Sequence, residues 1–583
     1  MSLKTTVRPS AKAAGHHYAG HHQVWCLSAP PAKQDAAKPR RRSANYRPTS
    51  WDYDALLSLA SGRPNLQDCP SSYYKLKTNI RDMLIKKAEP FSKLWTIDAM
   101  QRLGISYHFQ DEISNILYSI SNESAKDHTY DNIAFTALKF RLLRENGFPE
   151  TLGYNFNVAG QLGYHNYGNC TTKTPRQEDV NTLLLLHEAS YLAFGDEEIL
   201  DVARTYSAKA LKELMPSMLP HLREAVAHAL EIPLHWRAPR LETRWFIDYY
   251  ARDINMCPLL LQFAKLDFNQ VQDEHQKDLA AVTWWWRNIG LGEKLPFARD
   301  RLMECFHYAN GIVWDPKLGP CRQMLAKVSN LIVHLDDVYD VYGTMDELVL
   351  FTNAIARWDA IPNERLPEYM KALYSVIYHT SNEVAEHALK EHGCSMHYHL
   401  QKLWHDICMA FLLEAKWHHG NCRPSIQKYL ENGWVSSSAP LLLSHAFSML
   451  HSVINMNTIS KMQTTHRLVQ QVSLIFRLCN DSATHMDELQ RGDAPSFIAI
   501  NMAENGGNED DSRKVMQDLI LKSWKVINEE AFDSRQYSTP FNKACVNLAR
   551  ISHCVYQGGD GIGRPNDLKK RQIRDLFLDP VHI

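Results

Sequence analysis

Three things that the 583-residue chain lacks narrow what it can be. It has no excess of charge, since 64 Lys and Arg face 65 Asp and Glu, so no basic field favours nucleic acid or a membrane surface. It has no run of about 18 apolar residues, the length that a membrane-spanning helix needs. Its 12 cysteines form no CxxC pair in a chain large enough to fold without disulfides. We expect a soluble protein in a reducing compartment with a small-molecule partner.

Two familiar catalytic motifs are also missing. The chain has no GxxxxGK[ST] loop, which argues against cleavage of nucleoside triphosphates. His418, His419 and Cys422 could suggest zinc, but they lack a second pair of ligands at the correct spacing. The pattern therefore favours neither nucleotide hydrolysis nor zinc chemistry.

The first 40 residues differ from the rest in composition. They contain one acid, Asp35, against six Lys and Arg, together with Ala, Ser, Pro and four histidines. No apolar core of a secretory signal is present. The composition is typical of an organelle transit segment, and a disordered tail without an address is the alternative.

Helical periodicity dominates after residue 50. Apolar residues recur at steps of three and four between Asp179 and Leu211, with Gly195 separating two helices, and strand-like alternation is scarce. Prolines bracket residues 240–253, which read as the last element of one helical domain. A chain of this length exceeds one ordinary core. The sequence predicts an all-α fold with a leader at 1–40 and helical domains at 41–255 and 256–583.

The string LDDVYD places Asp336 and Asp340 on one face of a helix, four residues apart. The apolar stripe of Leu325, Val328 and Ile332 leads directly into them, so both carboxylates are expected to face inward. Carboxylates facing a protein interior are costly unless they bind cations or arginines. The alternative is a solvated helix end with exposed acids.

The string NDSATHMDE puts Asn480, Thr484 and Glu488 in a row about 12 Å long on a second helix. Carboxamide, hydroxyl and carboxylate oxygens suit Mg²⁺ or Mn²⁺. Three arginines supply guanidinium forks suited to phosphate oxygens, namely Arg299, Arg301 and Arg477. Acids, cations and arginines together describe a clamp for a diphosphate.

Further motifs are spread over nearly the whole chain. Arg41, Arg42 and Trp51 fit a tandem-arginine, eight-residue, tryptophan motif. The other strings are FRLLRENGF (140–148), LHEASYLAFGDEEILD (186–201), LHWRAPRLETRWFI (234–247), FARDR (297–301) and RGDAP (491–495). With these strings and the two acid strings, the chain resembles the plant class I terpene synthases, in particular the angiosperm monoterpene synthases.

The resemblance implies an N-terminal relic α-barrel and a C-terminal class I terpenoid synthase helical bundle that carries the chemistry. It implies three Mg²⁺ ions, or Mn²⁺, with Asp337 in a supporting role. Asp336 and Asp340 would ligate two ions, and Asn480, Thr484 and Glu488 the third. The same resemblance assigns the diphosphate to Arg299, Arg301 and Arg477, with Asp336, Asp340 and Asn480 also contributing to substrate binding.

The resemblance also assigns residues around the clamp. Arg41 and Arg42 would belong to an N-terminal strand that closes over the site and assists isomerisation of geranyl diphosphate, and Trp51 would anchor that strand. Tyr308 and Tyr556 would offer aromatic faces to a carbocation, and Asp560 would lie in a loop that caps the site. Trp285 and Trp286 are further candidate faces, although core packing is the favoured interpretation of residues 284–286.

Three positions depart from the family pattern. Tyr308 stands where many relatives have tryptophan, Ile562 replaces a frequent histidine, and Ser496 follows RGDAP where lysine is usual. Pro440 predicts a kink after Ser437 and Ser438, because proline removes an i to i−4 hydrogen bond and frees carbonyls that can face a cation. A kink that serves packing alone is the alternative.

The predicted function is metal-dependent ionisation and isomerisation of geranyl diphosphate in plastids, then cyclisation or quenching of the cation to a monoterpene with release of diphosphate. A cytosolic sesquiterpene synthase using farnesyl diphosphate and a non-catalytic diphosphate-binding scaffold are the alternatives. The absence of a DxDD string disfavours protonation-initiated cyclisation, and the absence of a second DDxxD disfavours chain elongation. We expect a monomer or weak homodimer without nucleic acid or membrane partners, and the product stays open.

Overall fold

The computed structural model describes residues 41–61, 70–122, 132–148, 150, 177–420, 422–450, 454, 466–532 and 540–583. Over these ranges the regular elements are helices, and no β-strand occurs among them. The predicted all-α fold is confirmed. The leader predicted at 1–40 lies outside the described residues. None of the helices in the described ranges is long and apolar enough to cross a bilayer.

The described residues of the first half form nine α-helices. Several begin with proline at the first helical position, where its fixed φ suits the helix and its missing N–H costs nothing. The two helices predicted around Gly195 are confirmed as α6 and α7. The bounds are α1 Tyr53–Ser58, α2 Pro70–Lys86, α3 Pro90–Arg102, α4 Gln110–Asn122, α5 Ile133–Glu145, α6 Gln177–Ser190, α7 Glu198–Leu214, α8 Pro220–Glu231 and α9 Pro239–Tyr250.

The second half opens with α10, a helix of 32 residues that is about 48 Å long. The helices that carry the acid strings, α13 and α19, join α12, α18 and α22 in one packed bundle. The bounds are α10 Pro258–Ile289, α11 Leu291–Lys294, α12 Leu302–Ile312, α13 Gly319–Asp337, α14 Met345–Arg357, α15 Glu368–His392, α16 His397–His419, α17 Ile426–Ser436, α18 Ala439–Leu450, α19 His466–Arg491, α20 Phe497–Asn505, α21 Glu509–Phe532, α22 Pro540–Tyr556 and α23 Asp567–Phe577.

The string FRLLRENGF has a structural explanation. Arg144 is buried and donates to both carboxylate oxygens of Glu197, at 2.5 and 2.7 Å. Arg141, also buried, pairs with Asp98 and with Glu145. Buried guanidinium groups persist in a core only when carboxylates and carbonyls satisfy them. These arginines therefore tie α3, α5 and the start of α7 together.

Four buried histidines and the partly buried His553 make the fold sensitive to acid. Burial lowers the pKa of His187 and His445 to about 4 and that of His235, His307 and His553 to about 3. Because the unfolded chain protonates near pH 6.5, it binds more protons than the fold between pH 6.5 and these values. The contribution of these histidines to stability is therefore fully present above pH 6.5 and falls as the pH drops, by about 1.4 kcal/mol per histidine and pH unit.

Urea unfolding at pH 7.5, 6.0 and 5.0 measures this dependence. His307→Leu is expected to flatten the dependence of stability on pH, because it removes one of the groups that take up protons on unfolding. The Nδ1 of His307 has no hydrogen-bond partner that the substitution would remove. The exposed His387 provides the control, and His387→Gln should keep the slope of the wild type. An unchanged slope in His307→Leu would contradict the assignment of the acid sensitivity to buried histidines.

Candidate active site

One cavity brings most of the predicted site residues together. It encloses about 1340 Å³ including its open mouth and lies in the bundle of the second half. All five predicted metal ligands line it, together with Arg299, Arg477, Tyr308, Tyr556 and Asp560. Apolar side chains also line it, among them Ile332, Phe411, Leu442, Phe476 and Ile562. The cavity therefore combines oxygen-rich side chains with apolar and aromatic ones.

The first acid string follows the predicted α-helix only as far as Asp337. The next five residues, Val338–Tyr342, form a π-helical turn, so Asp340 sits on a wider turn than the regular α-helix that its spacing suggested. Such turns occur often at functional sites. Asp336 and Asp340 both still line the cavity.

Asp337 turns away from the cavity and holds Arg299. Its buried carboxylate accepts a hydrogen bond from the backbone N–H of Arg299 at 2.7 Å and lies 2.9 Å from the Nε of the same residue. The Nη2 of Arg299 donates to Asp336. The guanidinium also stacks over the ring of Tyr46, 4.9 Å from its centroid. Arg299 is thus fixed between Asp336, Asp337 and Tyr46, a residue of the N-terminal segment.

The second string lies on α19 as predicted, with Asn480, Thr484 and Glu488 all facing the cavity. Burial, and then the negative charge of Asp481, raise the pKa of Glu488 to about 8. Desolvation and neighbouring acids also raise the pKa of Asp336, and they raise that of Asp340 well above its usual range. Carboxylates crowded in this way favour bound cations, and this set of oxygen donors fits divalent ions such as Mg²⁺.

Arg477 lies one turn before Asn480 and is surrounded by acceptors. Its Nε lies 3.0 Å from Asp481 and donates to the hydroxyl of Tyr429 at 2.8 Å. Its Nη1 lies 3.4 Å from Glu414, a buried acid of α16 that also lines the cavity. The motifs did not point to Glu414. The one indication of a buried Glu414 in the sequence is that it is the single acid within the apolar run FLLEA.

Comparison with known proteins places this cavity in a family. The model of the terpene synthase N-terminal domain matches residues 50–230, and that of the terpene synthase family metal binding domain matches residues 287–526. The (−)-α-terpineol synthase of Vitis vinifera is 42% identical over 93% of this chain and 91% of its own length. The chain belongs to the terpene synthase family. It is therefore an enzyme, a lyase that converts a prenyl diphosphate.

Other members of the family show similar agreement. The chloroplastic myrcene synthase of Quercus ilex is 40% identical over 93% of this terpene synthase and 90% of its own length. The isoprene synthase of grey poplar, solved with three Mg²⁺ ions and dimethylallyl-S-thiolodiphosphate, is 37% identical. It superposes with a TM-score of 0.80 over 92% of this chain and 99% of its own. Dependence on divalent metal follows from the family.

The predicted helix break is present in the terpene synthase. Helix α17 ends at Ser436 and α18 begins at Ala439, while Ser438 between them has a φ of 71°, in the left-handed region. Such a conformation is uncommon for a residue other than glycine and is frequent at functional sites. Residues 436–438 all line the cavity, so the break lies in its wall. Sequence reasoning correctly located this break from Pro440.

The N-terminal segment, residues 41–51, is attached to the rim of the cavity. Arg41 donates to both carboxylate oxygens of Glu347, at 2.8 and 2.9 Å. Arg42 donates to Asp493 at 2.8 Å and to the backbone carbonyl of Asp340 at 3.1 Å. Trp51 donates through its indole N–H to Glu304 at 2.9 Å. Neither arginine lines the cavity; both hold the segment next to the first acid string.

Tyr46, in the same segment, was missed by sequence reasoning, although it lines the cavity and stacks on Arg299. No motif position marks it, since it falls within the eight-residue spacer. Arg301 does not line the cavity. It donates to the carbonyls of Gly563 and Arg47 at 3.0 to 3.1 Å and so ties two segments together. Its contact with diphosphate stays a prediction.

Three aromatic rings, those of Tyr308, Phe476 and Tyr556, lie next to one another in the cavity lining. Tyr308 donates or accepts a hydrogen bond with Ser552 at 3.0 Å, and its ring lies 5.2 Å from that of Phe476. The ring of Tyr556 lies 6.1 Å beyond Phe476. Phe476 was not predicted, although it directly precedes Arg477.

Three tryptophans lie outside the cavity lining. Trp286 packs 4.9 Å from the ring of His334, the ring of Trp285 lies near Lys327, and Trp284 is 62% exposed. The packing interpretation of residues 284–286 agrees with these positions.

Asp560 lies in the loop that follows α22, and a capping role for this loop stays a prediction. The carboxylate of Asp560 lines the cavity and accepts hydrogen bonds from the backbone N–H groups of Ile562 and Gly563, at 3.0 and 2.8 Å. Ser496, by contrast, lies apart from the lining. It caps α20 and bonds to the Nδ1 of His485 at 2.7 Å. At this position the serine serves as a helix cap.

Proposed function

We propose that this terpene synthase is a monoterpene synthase that ionises geranyl diphosphate and converts the allylic cation into a ten-carbon product, with release of diphosphate. The observation that carries the proposal is the mixed lining of one cavity. Both acid strings and two arginines line it together with the rings of Tyr308, Phe476 and Tyr556. The relatives named for α-terpineol and myrcene production support a ten-carbon substrate.

The donor set suits three Mg²⁺ or Mn²⁺ ions. Asp336 and Asp340 would hold two of them, and Asn480, Thr484 and Glu488 would hold the third. When bound, such ions supply Lewis acidity that stabilises negative charge on a leaving diphosphate. The raised pKa values of the carboxylates are the property of this chain that supports the assignment.

Arg299 and Arg477 would bind and orient the diphosphate oxygens. Both arginines line the cavity, and their N–H groups lie close to acidic side chains. A phosphate oxygen could accept a hydrogen bond from one of these N–H groups while the guanidinium keeps its position. Preorganised donors of this kind stabilise charge that develops on the leaving group. Asp337 would act by holding Arg299 in position.

The apolar and aromatic residues of the lining would keep the carbocation from water. Faces of Tyr308, Phe476 and Tyr556 can each contribute about 0.5 to 2 kcal/mol of cation–π attraction. The break at residues 436–438 brings backbone dipoles to the same wall. Burial raises the pKa of Tyr556 well above its usual value, which keeps it a neutral phenol. The released diphosphate is then the stronger base for the final proton.

Arg42 is expected to matter more for geranyl than for linalyl diphosphate. The segment that it attaches beside Asp340 would hold the diphosphate during isomerisation, a step that linalyl diphosphate does not need. Arg42→Ala should lower kcat/KM about tenfold or more with geranyl diphosphate, a loss of about 1.4 kcal/mol, and clearly less with linalyl diphosphate. Equal losses with both substrates would contradict a role in isomerisation.

Three finer features belong to the same proposal. A plastid location is supported by the acid-poor leader and by relatives that are named chloroplastic. A boundary between two domains near residue 255 is supported by the gap between α9 and α10, which ends at Pro258. The protein would act as a monomer or weak homodimer.

Incubation of purified protein lacking residues 1–40 with Mg²⁺ tests the proposal directly. Geranyl and farnesyl diphosphate are supplied separately, and products are identified by gas chromatography and mass spectrometry. We expect a ten-carbon product and a higher kcat/KM with geranyl diphosphate. A preference for farnesyl diphosphate would make the enzyme a sesquiterpene synthase, and no turnover of either would favour the non-catalytic scaffold.

A further inference from the structure

A second cavity lies where helices from both halves of the chain meet. Its walls come from the segment around Tyr107, from α9, from the loop at Trp314 and from α22, and they share no residue with the catalytic cavity. Arg240, Lys543 and Arg550 line it, whereas no Asp or Glu is found among its described lining residues. A cavity with three cations and no acid in its walls is suited to an anion.

Arg240 is the most informative of these residues. It is 4% exposed, and its Nη1 is buried without a hydrogen-bond partner. Its Nη2 makes one long contact of 3.5 Å with the carbonyl of Phe268, and within the described ranges it forms no ion pair. Its guanidinium stacks on Phe268, 4.4 Å from the ring centroid. A buried guanidinium with unused donors is costly unless a ligand satisfies it.

Asp267 does not provide the missing bonds. It is the acid with the largest electrostatic effect on Arg240. Its Oδ1 accepts a hydrogen bond from Tyr107 and lies equally close to the Nε2 of His108, at 2.7 Å in both cases, while its Oδ2 is buried without a hydrogen-bond partner and forms no bond to Arg240. Arg322, a second cation near Arg240, is already paired with Asp278.

The two other cations complete a graded site. Arg550 is held by the carbonyl of His235 at 2.8 Å and by the Oδ1 of Asn547 at 3.2 Å, which fixes its guanidinium in the wall. Lys543 is exposed. A buried fork, a fixed second fork and an exposed ammonium match an anion with several oxygens better than a single carboxylate or halide.

We propose that this cavity is a second oxyanion site that binds inorganic phosphate or diphosphate without a divalent metal. It goes beyond the proposed function and does not rest on it, because the residues of the catalytic cavity take no part. Both halves of the chain contribute to the site, so an occupied site would also stabilise their packing. Phosphate and diphosphate share the chemistry that the site recognises.

Calorimetric titration of the full chain in EDTA tests the proposal. Phosphate and diphosphate are titrated separately at ionic strength matched with NaCl. We expect saturable binding of at least one of them at one site per chain. Tight binding of phosphate identifies a site for a single phosphoryl group, and a clear preference for diphosphate identifies a site for the co-product of a prenyl diphosphate lyase. Absence of binding of both would overturn the proposal.

Variants locate the binding. Lys543→Gln should weaken it about threefold to tenfold and Arg240→Gln at least about tenfold, because each removes a charge-assisted hydrogen bond. Lys390→Gln, an exposed lysine of α15, and Arg299→Gln in the catalytic cavity should bind like the wild type. If Arg240→Gln does not fold, Lys543→Glu decides. Unchanged affinity in Lys543→Glu, or a loss in Arg299→Gln, would overturn the proposal.

Discussion

Asp336→Ala is expected to lower kcat/KM with geranyl diphosphate by about a thousandfold or more, the equivalent of roughly 4 kcal/mol of transition-state stabilisation. Two effects act together. The variant removes a carboxylate from the cavity lining, and it releases the Nη2 of Arg299 from its partner. Glu488→Gln, in the second acid string, should give a loss of similar size without disturbing Arg299. Steady-state kinetics over a range of Mg²⁺ concentrations measures both.

Asp346 supplies the matched control. It is an exposed acid in the first turn of α14, close in sequence to the first acid string and outside the cavity lining. Asp346→Ala should retain the turnover and the Mg²⁺ dependence of the wild type. If Asp336→Ala and Glu488→Gln also formed product at the normal rate, the assignment of the two acid strings to the binding of metal and diphosphate would be wrong.

Arg477→Gln is expected to lower kcat by about a hundredfold to a thousandfold, the range seen when one preorganised donor to a developing anion is removed. It should also lower stability, because Glu414 and Asp481 would lose their counter-charge inside the protein. The two effects can be separated. The double variant Arg477→Gln/Glu414→Gln removes one of the stranded charges.

The double variant should recover part of the melting temperature and none of the activity. Kinetics and thermal unfolding on the wild type, both single variants and the double variant complete the comparison. Recovery of activity together with stability would mean that Arg477 serves only to balance Glu414. In that case, a diphosphate role for Arg477 would have to be abandoned.

Sequence reasoning predicted the local features of this site well. The row on α19, the helix that ends in Asp336 and Asp337, the pair of helices around Gly195 and the break before Pro440 all follow from spacing and proline chemistry over a few turns. Such patterns report which face of a helix a residue occupies. That information was enough to place all five candidate metal ligands in one cavity.

Features that depend on distant partners were not accessible in the same way. The π turn after Asp337 does not alter the apolar pattern before it, so spacing alone suggested a regular helix. Glu414 meets Arg477 across 63 residues of sequence, and Arg301 meets Gly563 across 262. The buried environment that gives such polar residues their partners is set by tertiary packing. Their places therefore emerged only from the folded chain.

The attachment of the N-terminal segment sets a limit on how far the chain can be shortened. Its two arginine contacts start at Arg41 and Arg42, its first two described residues, and the next side chain that holds it, Tyr46, already stacks on Arg299. A protease that stops at residue 40 leaves every one of these contacts in place. One that trimmed two residues further would remove both arginines, and with them the hydrogen bonds to Glu347, to Asp493 and to the carbonyl of Asp340.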